Sequence, residues 1–337
     1  MKAIVLGIDC HLPEKIETNE DLGRENPDWQ MGKLSDKSGI ASRHVAAFGE
    51  TAGDMGFQAA KKLLGRGLVA PEQIDYLLYC TQSPDYFLPS FACILQRQLG
   101  LGKHVGALDF NLGCSGWVYG LHLAKSFIES RAARNVLLIT SDTYSKYIHP
   151  KDRSVRLLFG DGAAATLIGA VEEKQGIGEF VLGTDGAGAE KLIVPSGCFR
   201  LPRSPETALE SIDSAECVRS KDNLFMDGPA IFSFAITAVP RALKSLLEKA
   251  GCSLGDIDWF VYHQANKYML QNLAQRSKIP WEKMVFAMED VGNTVSSSIP
   301  IAIQRYVEAG SIRPGHRLVA MGFGVGYSWG GCLLTWG

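Results

Sequence analysis

Apolar positions along the chain switch between the spacing of a helix face and the continuous run of a covered strand. From Ala59 to Pro84 the residues give a basic amphipathic helix, a short turn, then Ile-Asp-aromatic leading into an apolar strand. Ala242–Lys267 repeats that order. Asp75 and Asp258 occupy the two turns, and both strands end in polar tips, Cys80-Thr81-Gln82 and His263-Gln264-Ala265-Asn266. The next units also correspond. Leu108–Glu129 reads as a short strand, a Gly-containing turn and a largely apolar helix, followed by the strand Asn135–Asp142. Met288–Ala309 again has a Gly turn feeding a helix, and His316–Gly324 supplies the strand after it.

Two consecutive units matching in order point to internal duplication. The expected fold is α/β, built from two similar halves, about residues 1–170 and 171–337, with largely covered sheets. The helices near Cys114 and Val295 carry Gly116, Gly120, Ala124, Ser296, Ser297 and Ala302, small residues suited to packing on several sides. They are expected to form a shared central layer. Ser196–Asn223 has weaker periodicity and several Pro, Ser and charged residues, so it reads as a surface excursion.

Composition narrows the picture. With 337 residues, 46% of them hydrophobic and 21% charged, the chain can bury a large core. A net charge of -2 gives no global steering toward nucleic acid, so a contact with an acidic partner needs a local basic patch. The start, Met1–Cys10, runs straight into a strand and lacks the pattern of a signal peptide. No uninterrupted apolar run approaches the roughly 18 residues of a membrane span, and a cytoplasmic location without membrane contact is expected. The 8 cysteines suggest neither a disulfide framework nor the paired clusters of structural zinc, and no metal is expected.

Cys114 lies in Gly113-Cys114-Ser115-Gly116, where strand gives way to buried helix. Unpaired N–H groups at a helix start favour thiolate over thiol, and a thiolate there could attack a thioester. Most cysteines are buried hydrophobes, so the motif alone is weak. His263 sits at a strand tip, where open α/β sheets place ligands. Asn293, in Gly292-Asn293-Thr294, falls near the place in the second half that Cys114 holds in the first, and its plain role would be a helix cap. Pseudo-symmetry could bring Cys114, His263 and Asn293 to one centre. Gly322-Phe323-Gly324-Val325-Gly326 is either a sheet-terminal turn or a backbone donor for an oxyanion.

Taken together, these motifs resemble the β-ketoacyl-acyl-carrier-protein synthase III family of the thiolase superfamily. The resemblance spans nearly the whole chain: Ser38-Gly39-Ile40 with Arg43-His44, the Cys114 turn, Phe159–Ala163, His263–Asn266, Gly292–Thr294 and Trp329-Gly330. It implies a thiolase-like five-layer αβαβα fold, a homodimer and a catalytic Cys114–His263–Asn293 centre, with the backbone of Cys114 and Val325 as oxyanion hole. It also implies decarboxylative Claisen condensation of a Cys-bound acyl primer with malonyl-acyl carrier protein. The primer would arrive as an acyl-CoA or acyl-carrier-protein thioester, and no cofactor would stay bound.

Substrate contacts are expected from Lys33, Lys37, Arg153 and Asn266. Familiar members carry tryptophan and arginine where Lys33 and Lys37 stand, and arginine at Tyr268, and lysine lacks arginine's rigid fork. The coenzyme A mouth is therefore only partly matched. Val325 replaces a common glycine, and Leu88 stands where a partner-subunit residue, often aromatic, shapes the acyl tunnel. Lys267, Arg276 and Lys278 are either ordinary solvated charge or a docking surface for acidic acyl carrier protein. Two alternatives stay open: an acyltransferase or specialised-metabolite synthase using the same acyl-cysteine with another acceptor, and a non-catalytic partner subunit of a heteromeric synthase.

Overall fold

The computed structural model describes the chain apart from residues 30 and 173–175 and the side chains of residues 33 and 34. The contact expected of Lys33 therefore lies outside the described residues. Nine strands build two sheets. In the first, β1 (Lys2–His11), β2 (Tyr76–Cys80), β3 (Gly106–Phe110), β4 (Asn135–Asp142) and β5 (Gly162–Val171) lie in the order β1-β5-β4-β2-β3. The second holds β6 (Ile177–Thr184), β7 (Trp259–Tyr262), β8 (Arg317–Gly324) and β9 (Ser328–Thr335) in the order β7-β8-β9-β6. Beside β7, an isolated parallel bridge from Phe260 to Met284 stands where β3 flanks β2 in the first sheet. Both sheets mix parallel pairs, β2 with β4 and β7 with β8, with antiparallel pairs closed by β5 and β9.

The Asp turns show how local sequence sets this register. Asp75 accepts the N–H groups of Arg134 and Asn135 at 2.7 and 3.0 Å, and Asp258 accepts that of Arg317 at 2.7 Å. Each carboxylate thus ties the entry of one parallel strand to the start of its neighbour. Such a bond uses an N–H that would otherwise be orphaned at the sheet end.

Six helices matter for the site: α1 (Ala52–Gly65), α2 (Phe91–Gln98), α3 (Gly116–Glu129), α4 (Gly228–Ala250), α5 (Lys267–Ser277) and α6 (Ser298–Glu308). Thr51 and Asp54 form a capping box that starts α1, and left-handed Gly251 ends α4. Helices α3 and α6 lie between the sheets, α1 and α2 cover the outer face of the first, and α4 and α5 that of the second. The architecture is the thiolase-like five-layer αβαβα fold.

The sandwiched helices lack a solvent stripe because both faces meet a sheet. Trp117, Val118, Leu121, Ala124 and Ile128 of α3 are all fully buried. Truncating Leu121 to Ala there would cost about 2–5 kcal/mol. Gly116 is required by close approach: a Cβ on it would lie 2.4 Å from Cys80 Sγ. Helix α4 is long and apolar enough to cross a membrane by length and composition, but Ala235, Val239, Leu243 and Leu246 pack into the core over the second sheet. The excursion after β6 forms two small ribbons, Leu192–Ile193 with Phe225–Met226 and Ser211–Ile212 with Val218–Arg219.

Candidate active site

The turn between β3 and α3 carries Cys114. The Gly116 N–H closes it on the Gly113 carbonyl at 2.7 Å, and Ser115 Oγ pins it to Ser328 Oγ at 2.6 Å. Strand β8 passes directly behind. A Cβ on Gly322 would sit 2.7 Å from the Cys114 carbonyl oxygen, and one on Gly324 would sit 2.7 Å from Sγ. The glycines flagged in the sequence are thus needed for the backbone to reach the sulfur. Ser328 Oγ donates to the Val325 carbonyl at 3.0 Å, holding the turn after β8.

Burial pushes the Cys114 thiol up to about 12, against the pull of the Val325 and Cys114 N–H groups, which point at the sulfur. Buried Asp142 adds to the rise. The resting group is therefore a thiol, unlike the thiolate that the helix-start position suggested. Loss of water around the sulfur outweighs the favourable backbone dipoles.

His263 follows β7, and its own N–H reaches the Met321 carbonyl at 2.8 Å. Its Nδ1 lies 2.7 Å from Ser298 Oγ, at the start of α6. Ser298 Oγ also accepts the Gln264 N–H at 3.4 Å, and where its own hydrogen goes to Nδ1 the ring hydrogen falls on Nε2. Burial lowers the imidazole to about 3, with no charged partner to oppose this. The ring is neutral and offers an N–H.

Asn293 is held in the turn before α6 by its N–H on the Leu158 carbonyl at 2.8 Å and its carbonyl under the Gly160 N–H at 3.0 Å. Its Oδ1 accepts the Val295 N–H at 3.0 Å, which leaves the carboxamide NH2 as the free end. Gly292 and Val295 both have positive φ, 72° and 52°. Cys114, His263 and Asn293 line one cavity of about 70 Å³, with Phe159, Leu192 and Ile231 among its apolar walls. A buried thiol, an imidazole and a carboxamide thus line one small space with apolar walls. Among the described residues, no group of three His, Cys, Asp or Glu side chains gathers to hold a metal.

The remaining expected residues divide. Asn266 lines the cavity but also caps α5, its Oδ1 accepting the Met269 N–H at 2.8 Å. Lys37 reaches over the Tyr268 ring, 5.1 Å from its centroid, and Tyr268 stacks on Phe232. Arg153 instead donates to the Ala215 carbonyl at 2.7 Å and stands 3.8 Å from Glu216. Lys267 lies over Phe286, while Arg276 and Lys278 are exposed at the far end of α5. Leu88 is 81% exposed, in a loop with Phe87, whose ring packs against that of Phe199.

Ser298 and Asp142 were missed, and Gln82 was read only as part of a polar strand tip. Asp142 closes the apolar strand Asn135–Asp142, and polar ends of apolar strands were the signal that singled out His263. Ser298 lies in a run of serines entering a buried helix, where each hydroxyl needs a partner.

The five layers and the cleft between two sheet tips define a thiolase-like enzyme. A family model described as 3-oxoacyl-[acyl-carrier-protein (ACP)] synthase III matches residues 108–186, and its C-terminal counterpart matches residues 247–336. A β-ketoacyl-[acyl-carrier-protein] synthase III of Caldanaerobacter subterraneus is 35% identical over 98% of this chain and 97% of its own. A crystal structure of a 3-oxoacyl-(acyl-carrier-protein) synthase III superposes with a TM-score of 0.98 at 50% identity, covering 100% of both chains. The corresponding synthase of Burkholderia xenovorans LB400 gives 0.93 at 36% identity, over 100% of this chain and 95% of its own. The chain belongs to the β-ketoacyl-acyl-carrier-protein synthase III family. It is an acyltransferase-type enzyme of ketoacyl synthase III-type condensation.

Proposed function

We propose that the protein condenses a primer acyl group held on Cys114 with malonyl-acyl carrier protein to give a β-ketoacyl-acyl carrier protein. The observation that carries this reading is the single cavity on which Cys114, His263 and Asn293 converge beneath two backbone N–H groups. In the first stage Cys114 Sγ forms a bond to the primer carbonyl carbon. The Cys114 and Val325 N–H groups stabilise the oxyanion, and the carbon–sulfur bond to the departing carrier breaks. The thiol proton ends on the released carrier thiol, so acyl group and proton balance.

In the second stage the malonyl carboxylate leaves as carbon dioxide and its bonding pair becomes an enolate. The enolate oxygen takes hydrogen bonds from His263 Nε2–H and the Asn293 carboxamide. The α-carbon then bonds to the acyl carbon, the Cys114 sulfur leaves, and solvent returns its proton. A neutral imidazole suits this role because the step needs a donor and no proton abstraction from carbon.

Lys37 and Tyr268, which pack on each other, would meet the carrier of the primer, with Asn266 lining the cavity within. Acyl carrier protein would dock along Lys267, Arg276 and Lys278. The exposed Phe87, Leu88 and Phe199 suit a homodimer contact in which Leu88 shapes the partner's acyl pocket. The test is intact-mass measurement after exposure to a panel of acyl-CoA and acyl-carrier-protein thioesters, then addition of malonyl-acyl carrier protein. Expected are one acyl adduct on Cys114 and its conversion to a β-ketoacyl product with carbon dioxide release. An adduct that passes instead to an amine or alcohol, without carbon dioxide, defeats the reading.

A further inference from the structure

One buried carboxylate has no part in the chemistry above. Asp142, the last residue of β4, is fully buried, and among the described residues no cation pairs with it. Its Oδ1 accepts the Gln82 N–H at 2.7 Å, and its Oδ2 accepts the Ser296 hydroxyl at 2.5 Å and the Ser296 N–H at 3.4 Å. Burial raises its carboxyl to about 7, and those same donors work against the rise. A carboxyl with three donors and no countercharge has its orientation set by them.

The two arms lead to the two halves of the site. Gln82 backs the Cys114 turn: a Cβ on Gly113 would lie 2.4 Å from Gln82 Oε1 and 2.6 Å from Val325 Cγ1. Gln82 Oε1 also accepts the buried Tyr144 hydroxyl at 2.5 Å, and its Nε2 donates to Asn111 Oδ1 at 2.9 Å. Ser296 follows the turn that presents Asn293. Between them Val295, a β-branched residue, is left-handed with φ 52°, a conformation such a residue rarely adopts. Asn293 Oδ1 fastens that turn on one side of Val295, and Asp142 fastens it on the other.

We propose that Asp142 is a positioning residue that holds the Asn293 turn at a fixed distance from the Cys114 turn, a role that rests on the condensation mechanism proposed above. Acyl loading needs only the Cys114 side of the site, whereas decarboxylation needs Asn293 in register. Loss of the Ser296 arm alone must therefore separate the two half-reactions, which general loosening of the fold would not do.

The experiment measures Cys114 loading by intact mass, and malonyl decarboxylation by carbon dioxide release, in the parent, Ser296→Ala and Asp142→Asn. Ser296→Ala is expected to keep loading within twofold and melting within a few degrees, while decarboxylation falls about tenfold with KM for the malonyl thioester unchanged. Asp142→Asn, which keeps an acceptor for the Gln82 N–H but puts an NH2 against the Ser296 donors, is expected to lower decarboxylation about tenfold or more, and the double variant to be no worse. Ser296→Ala keeps the test decisive if Asp142→Asn fails to fold. Equal losses in both half-reactions, or decarboxylation within twofold of the parent in Ser296→Ala, overturn the proposal. A parent that neither loads nor decarboxylates instead removes the condensation reading, and this role with it.

Discussion

Two turns stand at matching places in the two sheets, each leading into a central helix, and they are built for opposite tasks. The first, around Cys114, gathers its own N–H and that of Val325 on the sulfur. The second, around Asn293, has its N–H groups already paired: Val295 N–H goes to Asn293 Oδ1 and Ser296 N–H to Asp142 of the first sheet. The first turn therefore offers backbone donors to a bound atom, and the second offers a side-chain donor. The strand tips differ in the same way. Gln82 after β2 points its amide at the Cys114 turn, whereas His263 after β7 reaches the cavity. In the condensation proposed above, the first turn would support the nucleophile and the second would receive the charge that forms on the second substrate.

The sharpest break of this contrast is removal of the sulfur. Cys114→Ala should abolish acyl loading, a loss of about 10³-fold or more since no other group at the site can form the adduct. Intact mass after thioester exposure checks it, and labelling equal to the parent would remove Cys114 from its role. On the other side, His263→Ala and Asn293→Ala should each lower malonyl decarboxylation by about 10²–10³-fold, the range for losing one preorganised oxyanion donor. Both should still load primer within about an order of magnitude. Unchanged decarboxylation in either variant would mean that the second turn does not face the enolate.

This contrast was only half legible in the sequence. The αβ units, the Cys114 turn, the His263 tip and the Gly292-Asn293 turn all announce themselves through local rules: apolar runs, polar strand ends and glycine at tight corners. The five-layer packing and the convergence of the two halves depend on long-range pairing that no local pattern encodes. The thiol's rise to about 12 was not readable either, because desolvation depends on everything packed around the sulfur. Nor was the left-handed Val295, since a β-branched residue at φ 52° runs against its own preference and is held by tertiary bonds. Arg153 was read only as a substrate contact, and its bond to the Ala215 carbonyl is another long-range contact that no local pattern encodes.

A smaller effect sharpens the division within the second half. Ser298 directs the His263 ring through a 2.7 Å bond to Nδ1. Ser298→Ala should lower decarboxylation by about tenfold, the worth of one hydrogen bond of ~1.4 kcal/mol. Primer loading should stay at the parent rate. The ring nitrogen shifts in a ¹⁵N spectrum should show Nε2–H as the dominant tautomer in the parent and a mixture in the variant. A parent spectrum dominated by Nδ1–H would reverse the assignment.

The last effect concerns stability rather than rate. His263 is 2% exposed and lowered to about 3 by burial, below its unfolded value of about 6.5. Above pH ~6.5 the ring is neutral in both states and costs nothing. Below it the unfolded chain binds a proton that the folded chain refuses, so stability falls as pH drops toward the folded value. The slope is ~1.4 kcal/mol per pH unit, or about 2 kcal/mol between pH 7 and pH 5. His263→Gln removes the titration while other groups stay the same, so its melting temperature should fall less than the parent's over that interval, by a few degrees. Parallel pH dependence in the two proteins would mean that water reaches the imidazole, and the second half would then lack the dry donor on which its contrast with the Cys114 turn depends.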